Sequence, residues 1–170
     1  MVCMFQEWII KGRVDPQILP DLKFSPVFKS LMQVRGLTTS GDVMSFLSPN
    51  LGQLKDPWNM KNMRRACERI LRAIDAGEKI GIFTDYDVDG VCSAVLIQRF
   101  LLNIGSRAPE IFIPDRVNDG YGLNIRGIDE LKRKGVNLLI TADCGITAIR
   151  EVEYARSLDM EVIITDHHVM

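Results

Sequence analysis

From residue 79 onward, short and almost wholly apolar runs alternate with segments of helical spacing. Four runs are predicted strands: 80–84, 110–113, 137–141 and 161–165. Three segments between them are predicted helices: 91–103, 125–134 and 148–158. Strands that are apolar on both sides and joined by helices are typical of a covered parallel sheet. The pattern therefore predicts an α/β fold, a parallel sheet with helices on both faces.

The N-terminal part of the chain has a different pattern, with five of the seven prolines in the first 60 residues. Ser25 before a proline predicts the start of one helix and Thr39 the start of another. Helical spacing over 59–76 predicts a third helix. We predict a short helical N-terminal extension over 1–77, followed by the α/β domain over 78–170.

Composition excludes several classes of protein. With 46% hydrophobic and 25% charged residues the chain is of ordinary globular type, and no run approaches the roughly 18 apolar residues of a membrane span. The N-terminus lacks the pattern of a signal peptide, so a cytoplasmic location is predicted. The four cysteines form no C-x-x-C pair and are predicted to be reduced thiols. A net charge of −1 provides no general attraction to nucleic acid.

Three carboxylates follow the first predicted strand at alternate positions: Asp85, Asp87 and Asp89. Like charges this close repel one another, and a bound divalent cation is the usual reason to keep them together. An EF-hand begins with the same spacing, but its closing glutamate position is Leu96 here, and a strand precedes the carboxylates. The other alternative is a solvated acidic turn in which Asp89 is the N-cap of the next helix.

Polar side chains follow the other predicted strands as well. They are Asp115 and Arg116 after the second, Asp143 after the third, and Asp166, His167 and His168 after the fourth. Parallel strands present their carboxyl ends at one edge of the sheet, where ligands bind. An oxygen-rich site with imidazole suits Mg²⁺ or Mn²⁺ better than structural zinc. No Walker A or dinucleotide-binding motif is present.

Five motifs occur in a characteristic order: DYDVDGVCS at 85–93, IPDR at 113–116, GYGLN at 120–124, TADCGIT at 141–147 and TDHH at 165–168. The set resembles the DHH phosphoesterase superfamily. Within it, the chain is similar to the N-terminal part of single-strand-specific exonucleases of RecJ type. The N-terminal extension, here called the leader, shares this similarity. Its matching stretches are SP at 25–26, RG at 35–36, FLSP at 46–49 and LKDP at 54–57, so the resemblance covers nearly the whole chain.

The resemblance implies a metal-dependent phosphodiesterase that degrades single-stranded DNA from the 5′ end and releases mononucleotides. It implies two Mn²⁺ or Mg²⁺ ions in the complete enzyme. The positions that match the family's metal ligands are Asp87, Asp89, Asp143 and His167, with Asp85 beside them as a ligand or as an acceptor behind them. His168 matches the position that contacts the scissile phosphate, and it completes the implied catalytic set.

Two residues near these motifs keep alternative interpretations. Arg116 could clamp a phosphate or could form an ion pair with Asp115 or Asp119. Tyr121 could stack on a base, although its glycine neighbours indicate a turn with a conformational role.

Two departures from the family pattern affect the predicted function. Phe83 stands where several members have a metal-binding histidine. The chain also ends two residues after His168, before the further aspartate, linker and second domain of the family. We expect a fragment that is inactive by itself, binds single-stranded DNA weakly and self-associates through an exposed sheet edge.

Two other functions remain open at this point. One is a DHH phosphoesterase acting on small substrates such as oligoribonucleotides, cyclic dinucleotides or pyrophosphate. The other is a non-catalytic DHH module that serves as a binding or scaffold protein. The leader favours the exonuclease over the first alternative, and retention of the acidic and histidine positions favours it over the second.

Overall fold

The computed structural model describes residue 15 and residues 19–169. Contacts divide the chain into two compact units, 1–56 and 57–170. The helix over Met63–Asp75 falls in the second unit. The domain boundary predicted after residue 77 remains a prediction.

The described part of the first unit contains two short helices, α1 over Pro26–Val34 and α2 over Ser40–Leu47. Both begin where the cap residues predict. The Ser25 hydroxyl accepts a hydrogen bond from the Phe28 amide, and the Thr39 hydroxyl accepts one from the Asp42 amide. These bonds satisfy amide groups that have no partner within the helix. A small apolar core lies between the helices and consists of Leu19, Met32 and Val43.

The second unit contains the sheet and four helices. Its strands are β1 over Ile80–Thr84, β2 over Glu110–Phe112, β3 over Leu138–Ala142 and β4 over Glu161–Thr165. Its helices are α3 over Met63–Asp75, α4 over Val88–Asn103, α5 over Ile125–Arg133 and α6 over Ile149–Ser157. All predicted strands and helices of this region form. The largest difference is at α3, which begins four residues after its predicted start at 59. Helix α4 begins three residues before its predicted start because Asp87 caps it.

The four strands are parallel and lie in the order β2-β1-β3-β4. On one face, Ile82 and Ile140 pack against α3 and α4 through residues such as Leu101. On the other face, Phe83 and Leu139 pack against α5 and α6. Burial on both faces explains why the strands are continuous apolar runs. The predicted fold class is confirmed.

A buried arginine joins α3 to the amino-terminal end of the sheet. Arg69 donates to Glu78, just before β1, at 2.6 Å and to Glu161, the first residue of β4, at 2.8 Å. The arginine side chain is 11% exposed. This ion cluster lies at the end of the sheet opposite the predicted site and serves the packing of α3.

Two predictions from composition concern the whole chain. Among the residues that the structure describes, no helix combines the length and apolar character needed to cross a membrane. The cytoplasmic location remains a prediction. Cys67, Cys92 and Cys144 are free thiols, and Cys3 lies outside the described residues.

Candidate metal centre

The topology opens a crevice between the carboxyl ends of β1 and β3. Helix α4 leaves β1 over one face of the sheet to reach β2, whereas α6 leaves β3 over the opposite face to reach β4. Adjacent strands whose connections diverge in this way define the usual ligand-binding position of an open α/β sheet. The acidic motifs at 85–89 and at 143 follow these two strands directly.

Three of the predicted residues come together at this edge. One ligand-type atom of each of Asp143, His167 and His168 lies within 4.8 Å of the others. Asp143 Oδ1 is 3.0 Å from His167 Nε2, and the aspartate is 8% exposed. Its backbone adopts a left-handed conformation, with φ of 62°, and its amide donates to the Thr165 carbonyl at 3.0 Å. The hydrogen bond to Thr165, the last residue of β4, therefore fixes the turn in which Asp143 lies.

Asp166 holds the second histidine. Its Oδ1 lies 2.7 Å from His168 Nδ1 and accepts the His168 amide at 3.1 Å. Its Oδ2 accepts the Ile146 amide at 2.9 Å, in the loop that follows Asp143. The Tyr121 hydroxyl lies 3.3 Å from both ring nitrogens of His168. Sequence reasoning left Asp166 without a role and did not anticipate contact between Tyr121 and His168. The position of Asp166 beside the two histidines was the available signal.

The three carboxylates after β1 have different environments. Asp85 is 3% exposed, and its Oδ1 is buried without a hydrogen-bond partner in the described structure. Asp87 is exposed and caps α4, because its Oδ1 accepts the Gly90 amide at 3.0 Å. The N-cap is therefore Asp87, and the alternative in which Asp89 caps the helix is wrong. Asp89 lies in the first turn of α4 and faces the cleft.

Gly90 allows this close approach. A Cβ atom at this position would overlap the backbone of Asp85, including its carbonyl oxygen. Only glycine lets the first turn of α4 sit directly on the buried aspartate.

A cleft of about 480 Å³ connects several of the predicted residues. The side from α4 consists of Asp89, Cys92, Ser93, Leu96 and Ile97, and the side from β3 and β4 consists of Ala142, Asp143, Thr165, Asp166 and His167. One wall is thus partly apolar, whereas the other carries carboxylates and an imidazole. The fold places Asp89 on the same cleft as Asp143 and His167.

Arg116 is not among the residues that line the cleft. Its guanidinium lies over the ring of Tyr86, 5.5 Å from the ring centroid. Asp119 forms its ion pair with Arg126, and Asp115 Oδ1 accepts the amides of Val117 and Asn118. The ion pairs observed in the described residues do not include Arg116, so the predicted pairing with Asp115 or Asp119 is not seen.

The electrostatics of the cluster indicate an excess of negative charge. Burial, followed by the nearby charge of Asp87, raises the pKa of Asp143, and the hydrogen bond with His167 opposes this shift only in part. Burial also acts to raise the pKa of Asp166, but hydrogen bonds from Ile146 and His168 outweigh it and the net shift is downward. The hydrogen bond to Asp166 raises the pKa of His168.

The donor set fits a hard divalent cation. A buried carboxylate oxygen of Asp85 has no partner, and Asp143 carries an unfavourable negative charge that a cation would neutralise. Carboxylate oxygens with one or two imidazoles are the donors that Mn²⁺ and Mg²⁺ accept. The residues present are therefore suited to such an ion.

Comparison with known proteins gives consistent matches. A model of the DHH family, N-terminal domain, matches residues 79–170. The single-stranded-DNA-specific exonuclease RecJ of Bacillus subtilis (strain 168) is 40% identical over 147 residues, which is 86% of this chain and 19% of that protein. The RecJ of Escherichia coli (strain K12) is 31% identical over 145 residues, 85% of this chain and 24% of that protein. This chain thus spans less than a quarter of the length of either relative.

Two solved structures have a similar fold. A crystal structure of exonuclease RecJ bound to manganese superposes with a TM-score of 0.59 and 34% identity, covering 65% of this chain and 28% of that one. RecJ from Thermus thermophilus in complex with Mn²⁺ superposes with a TM-score of 0.57 and 27% identity, covering 90% of this chain and 20% of that one. The family model covers more than half of the chain, and the motifs converge at one edge of the sheet. This chain belongs to the DHH family.

Proposed function

We propose that this chain carries the metal-binding part of a RecJ-type phosphodiesterase that degrades single-stranded DNA from 5′ to 3′ and releases mononucleotides. The observation that carries the proposal is the convergence of Asp143, His167 and His168 at the edge where Asp85 has a buried, unpartnered oxygen. The relatives named as single-stranded-DNA-specific exonucleases support this substrate class. Their structures with manganese support a divalent ion.

The proposed ligands come from three loops. Asp87 and Asp89 follow β1, Asp143 follows β3 and His167 follows β4, with Asp85 behind them as a further ligand or as an acceptor. We propose Mn²⁺ or Mg²⁺ as the cofactor, with two ions in the complete enzyme. Bound divalent ions supply activation of a water molecule and electrostatic stabilisation of the phosphoryl oxygens.

The remaining residues of the site act on the substrate. His168, held by Asp166, is proposed to contact the scissile phosphate. Arg116 lies on Tyr86 without an observed ion pair, so its guanidinium is available to a phosphate group. Replacing Asp143 with alanine in the complete enzyme is expected to abolish metal-dependent hydrolysis, and retained turnover would contradict the assignment.

Single-stranded DNA is the proposed partner, and this chain by itself is expected to hold it weakly. A net charge of −1 leaves little of the counterion release that drives such binding. A submicromolar, salt-sensitive complex between this chain and single-stranded DNA would contradict that expectation.

The first test is a calorimetric Mn²⁺ titration of the wild-type chain and of Asp87→Asn. Asparagine can keep the hydrogen bond that caps α4 but removes the negative charge, so lost binding would not reflect a lost helix cap. We expect micromolar binding in the wild type and at least about tenfold weaker binding in the variant. The control is Asp159→Asn, an exposed aspartate before β4 at the opposite end of the sheet, which should bind Mn²⁺ as the wild type does.

A second titration tests the phosphate contacts. A 5′-mononucleotide is the proposed product, so it should bind to the Mn²⁺-loaded chain and not to the metal-free chain. Arg116→Gln should weaken nucleotide binding without changing Mn²⁺ affinity, and His168→Gln should weaken nucleotide binding as well. Wild-type protein that binds no Mn²⁺ would contradict the proposed function, and nucleotide binding that ignores the metal would contradict the proposed site.

A further inference from the structure

The carboxylate of Asp166 lies between two parts of the candidate centre. Its side chain is 2% exposed, and both of its oxygens accept hydrogen bonds. One oxygen accepts from the His168 amide and contacts His168 Nδ1, while the other accepts from the Ile146 amide. A single buried group thus connects the loop after β3 with the end of β4.

The geometry determines which ring nitrogen of His168 carries a proton. An ionised carboxylate can only accept hydrogen bonds. A separation of 2.7 Å between Asp166 Oδ1 and His168 Nδ1 therefore requires a proton on Nδ1. In the neutral ring, Nε2 is then the nitrogen with a free lone pair.

We propose that Asp166 is a positioning residue that holds His168 in the Nδ1–H tautomer and leaves Nε2, which lies 3.3 Å from the Tyr121 hydroxyl, as the nitrogen with the lone pair. The catalytic meaning of this inference rests on the proposed function, in which His168 contacts the scissile phosphate. The hydrogen bonds of Asp166 to His168 and Ile146 are present without a metal ion, so they can be tested in the metal-free chain. The second bond, from the Ile146 amide, holds the same carboxylate in place, so Oδ1 stays directed at His168 Nδ1.

The chain is well suited to a direct test, because His167 and His168 are its only two histidines. The experiment is long-range ¹H–¹⁵N NMR of the imidazole rings in uniformly labelled, metal-free protein. The spectra are recorded above the pH at which the ring shifts stop changing, because the hydrogen bond to Asp166 raises the pKa of His168 and the tautomer is read from the neutral ring. The His167→Gln variant assigns the signals, since it leaves only His168.

In the wild type we expect Nδ1 of His168 to resonate as a protonated, pyrrole-type nitrogen and Nε2 as an unprotonated, pyridine-type nitrogen. In Asp166→Ala neither carboxylate oxygen is present, so no acceptor holds the proton on Nδ1. The two ring nitrogens should then move toward similar chemical shifts, because the ring can exchange between its two neutral tautomers.

The matched control is Asp129→Ala on α5, which removes a carboxylate that accepts the Tyr154 hydroxyl at 2.7 Å. This variant should leave the ring-nitrogen shifts of both histidines unchanged. A wild-type His168 protonated on Nε2 would overturn the inference, and this measurement stands even if Asp166→Ala fails to fold. A folded Asp166→Ala protein whose His168 keeps the wild-type tautomer would overturn it as well.

The result is separable from the test of the proposed function. If the proposed function is wrong and this inference is right, the wild-type protein binds no Mn²⁺ but its His168 has the expected tautomer. Failure of the present inference appears as the other tautomer in a protein that binds Mn²⁺.

Discussion

At the scale of single residues, Asp143 combines an uncommon backbone conformation with an unfavourable charge. Its φ of 62° is tolerated by aspartate and asparagine better than by most residues. Its carboxylate is buried and lies near the charge of Asp87, and both effects raise the pKa of Asp143. Such a group destabilises the metal-free fold at neutral pH, because the folded state disfavours the charged form. We therefore expect a bound cation to raise the free energy of unfolding, because it would neutralise this charge.

The variant Asp143→Asn separates these two effects. Asparagine keeps the backbone conformation and can still pair with His167, but it carries no charge. We expect Mn²⁺ affinity to fall by at least about 100-fold, since loss of a direct ligand should cost no less than loss of a group behind it. We expect the metal-free protein to unfold at a higher denaturant concentration than the wild type. Calorimetry measures the first effect and urea unfolding the second; a variant less stable than the wild type would contradict the stability argument.

Gly90→Ala tests the close approach of α4 to Asp85. The added methyl group would overlap the Asp85 backbone, so the first turn of the helix must shift. We expect a loss of about 1–3 kcal/mol in the free energy of unfolding and weaker Mn²⁺ binding, because Asp87 and Asp89 lie in that turn.

The control for Gly90→Ala is Gly41→Ala in α2. There the nearest atom to a new Cβ is the Thr39 hydroxyl oxygen at 3.9 Å. Because alanine is the better helix former, this change should stabilise the protein by up to about 1 kcal/mol. If Gly90→Ala behaves like Gly41→Ala, the packing argument at Asp85 is wrong.

Part of the site could be predicted residue by residue. Acidic residues at alternate positions after a strand indicate a cation site from charge repulsion alone, and the roles proposed for His167 and His168 come from the resemblance to the DHH motifs. The alternative with Asp89 as the cap of α4 was open because aspartates at alternate positions look equivalent in a sequence. Only the path of the backbone decides which one accepts the Gly90 amide.

At the scale of elements, α3 depends on Arg69. The arginine donates to Glu78 and Glu161 and reaches across the start of the sheet. Arg69→Met keeps most of the apolar stem but removes both bonds, and we expect a loss of about 1–3 kcal/mol in the free energy of unfolding. The exposed Arg72→Met on the same helix should change it by less than about 0.5 kcal/mol. Equal effects in a urea unfolding experiment would show that the ion cluster does not stabilise α3.

Strand β2 is joined to its neighbours by Glu110. The hydrogen bond from Lys79 is the largest cause of the lowered pKa of Glu110, and Lys134 contributes as well. A lowered pKa in the folded state adds stability above the unfolded pKa of about 4.3, and this stability is lost as the pH falls through the folded pKa.

Glu110→Gln should therefore destabilise the protein by about 0.5 kcal/mol at neutral pH. The difference between variant and wild type should shrink toward zero below pH about 4. Urea unfolding at a series of pH values measures it, with Glu153→Gln on α6 as the exposed control. A difference that grows as the pH falls would contradict the sign of the argument.

At the scale of the whole molecule, the boundary between the two units can be tested by deletion. Ala73 is fully buried against Ile80 and Ile82 in the core on one face of the sheet, so α3 packs as part of the α/β unit. A chain of residues 57–170 should unfold cooperatively and bind Mn²⁺ as the full chain does. A chain of residues 78–170 lacks α3 and exposes that face, and its thermal transition should be lower and broader or absent. Equal stability of the two deletion chains would favour the boundary predicted after residue 77.

The sequence by itself determined the local features of this protein. In a strand that is apolar throughout, side chains on both faces must be removed from water. This requirement predicts a parallel sheet with helices on each side. Cap residues such as Ser25 and Thr39 define helix starts because they satisfy amide groups within a few residues. The motifs carry the DHH family resemblance because they are short, ordered stretches of the chain.

The tertiary structure decided what depends on groups far apart in sequence. The order β2-β1-β3-β4 places the ends of β1 and β3 side by side, and no local pattern encodes that order. Burial left Asp85 with an unpartnered oxygen, and the contact between Asp166 and Ile146 joins two loops. These properties arise from desolvation and from hydrogen bonds across the fold, which come into existence only when the chain has packed.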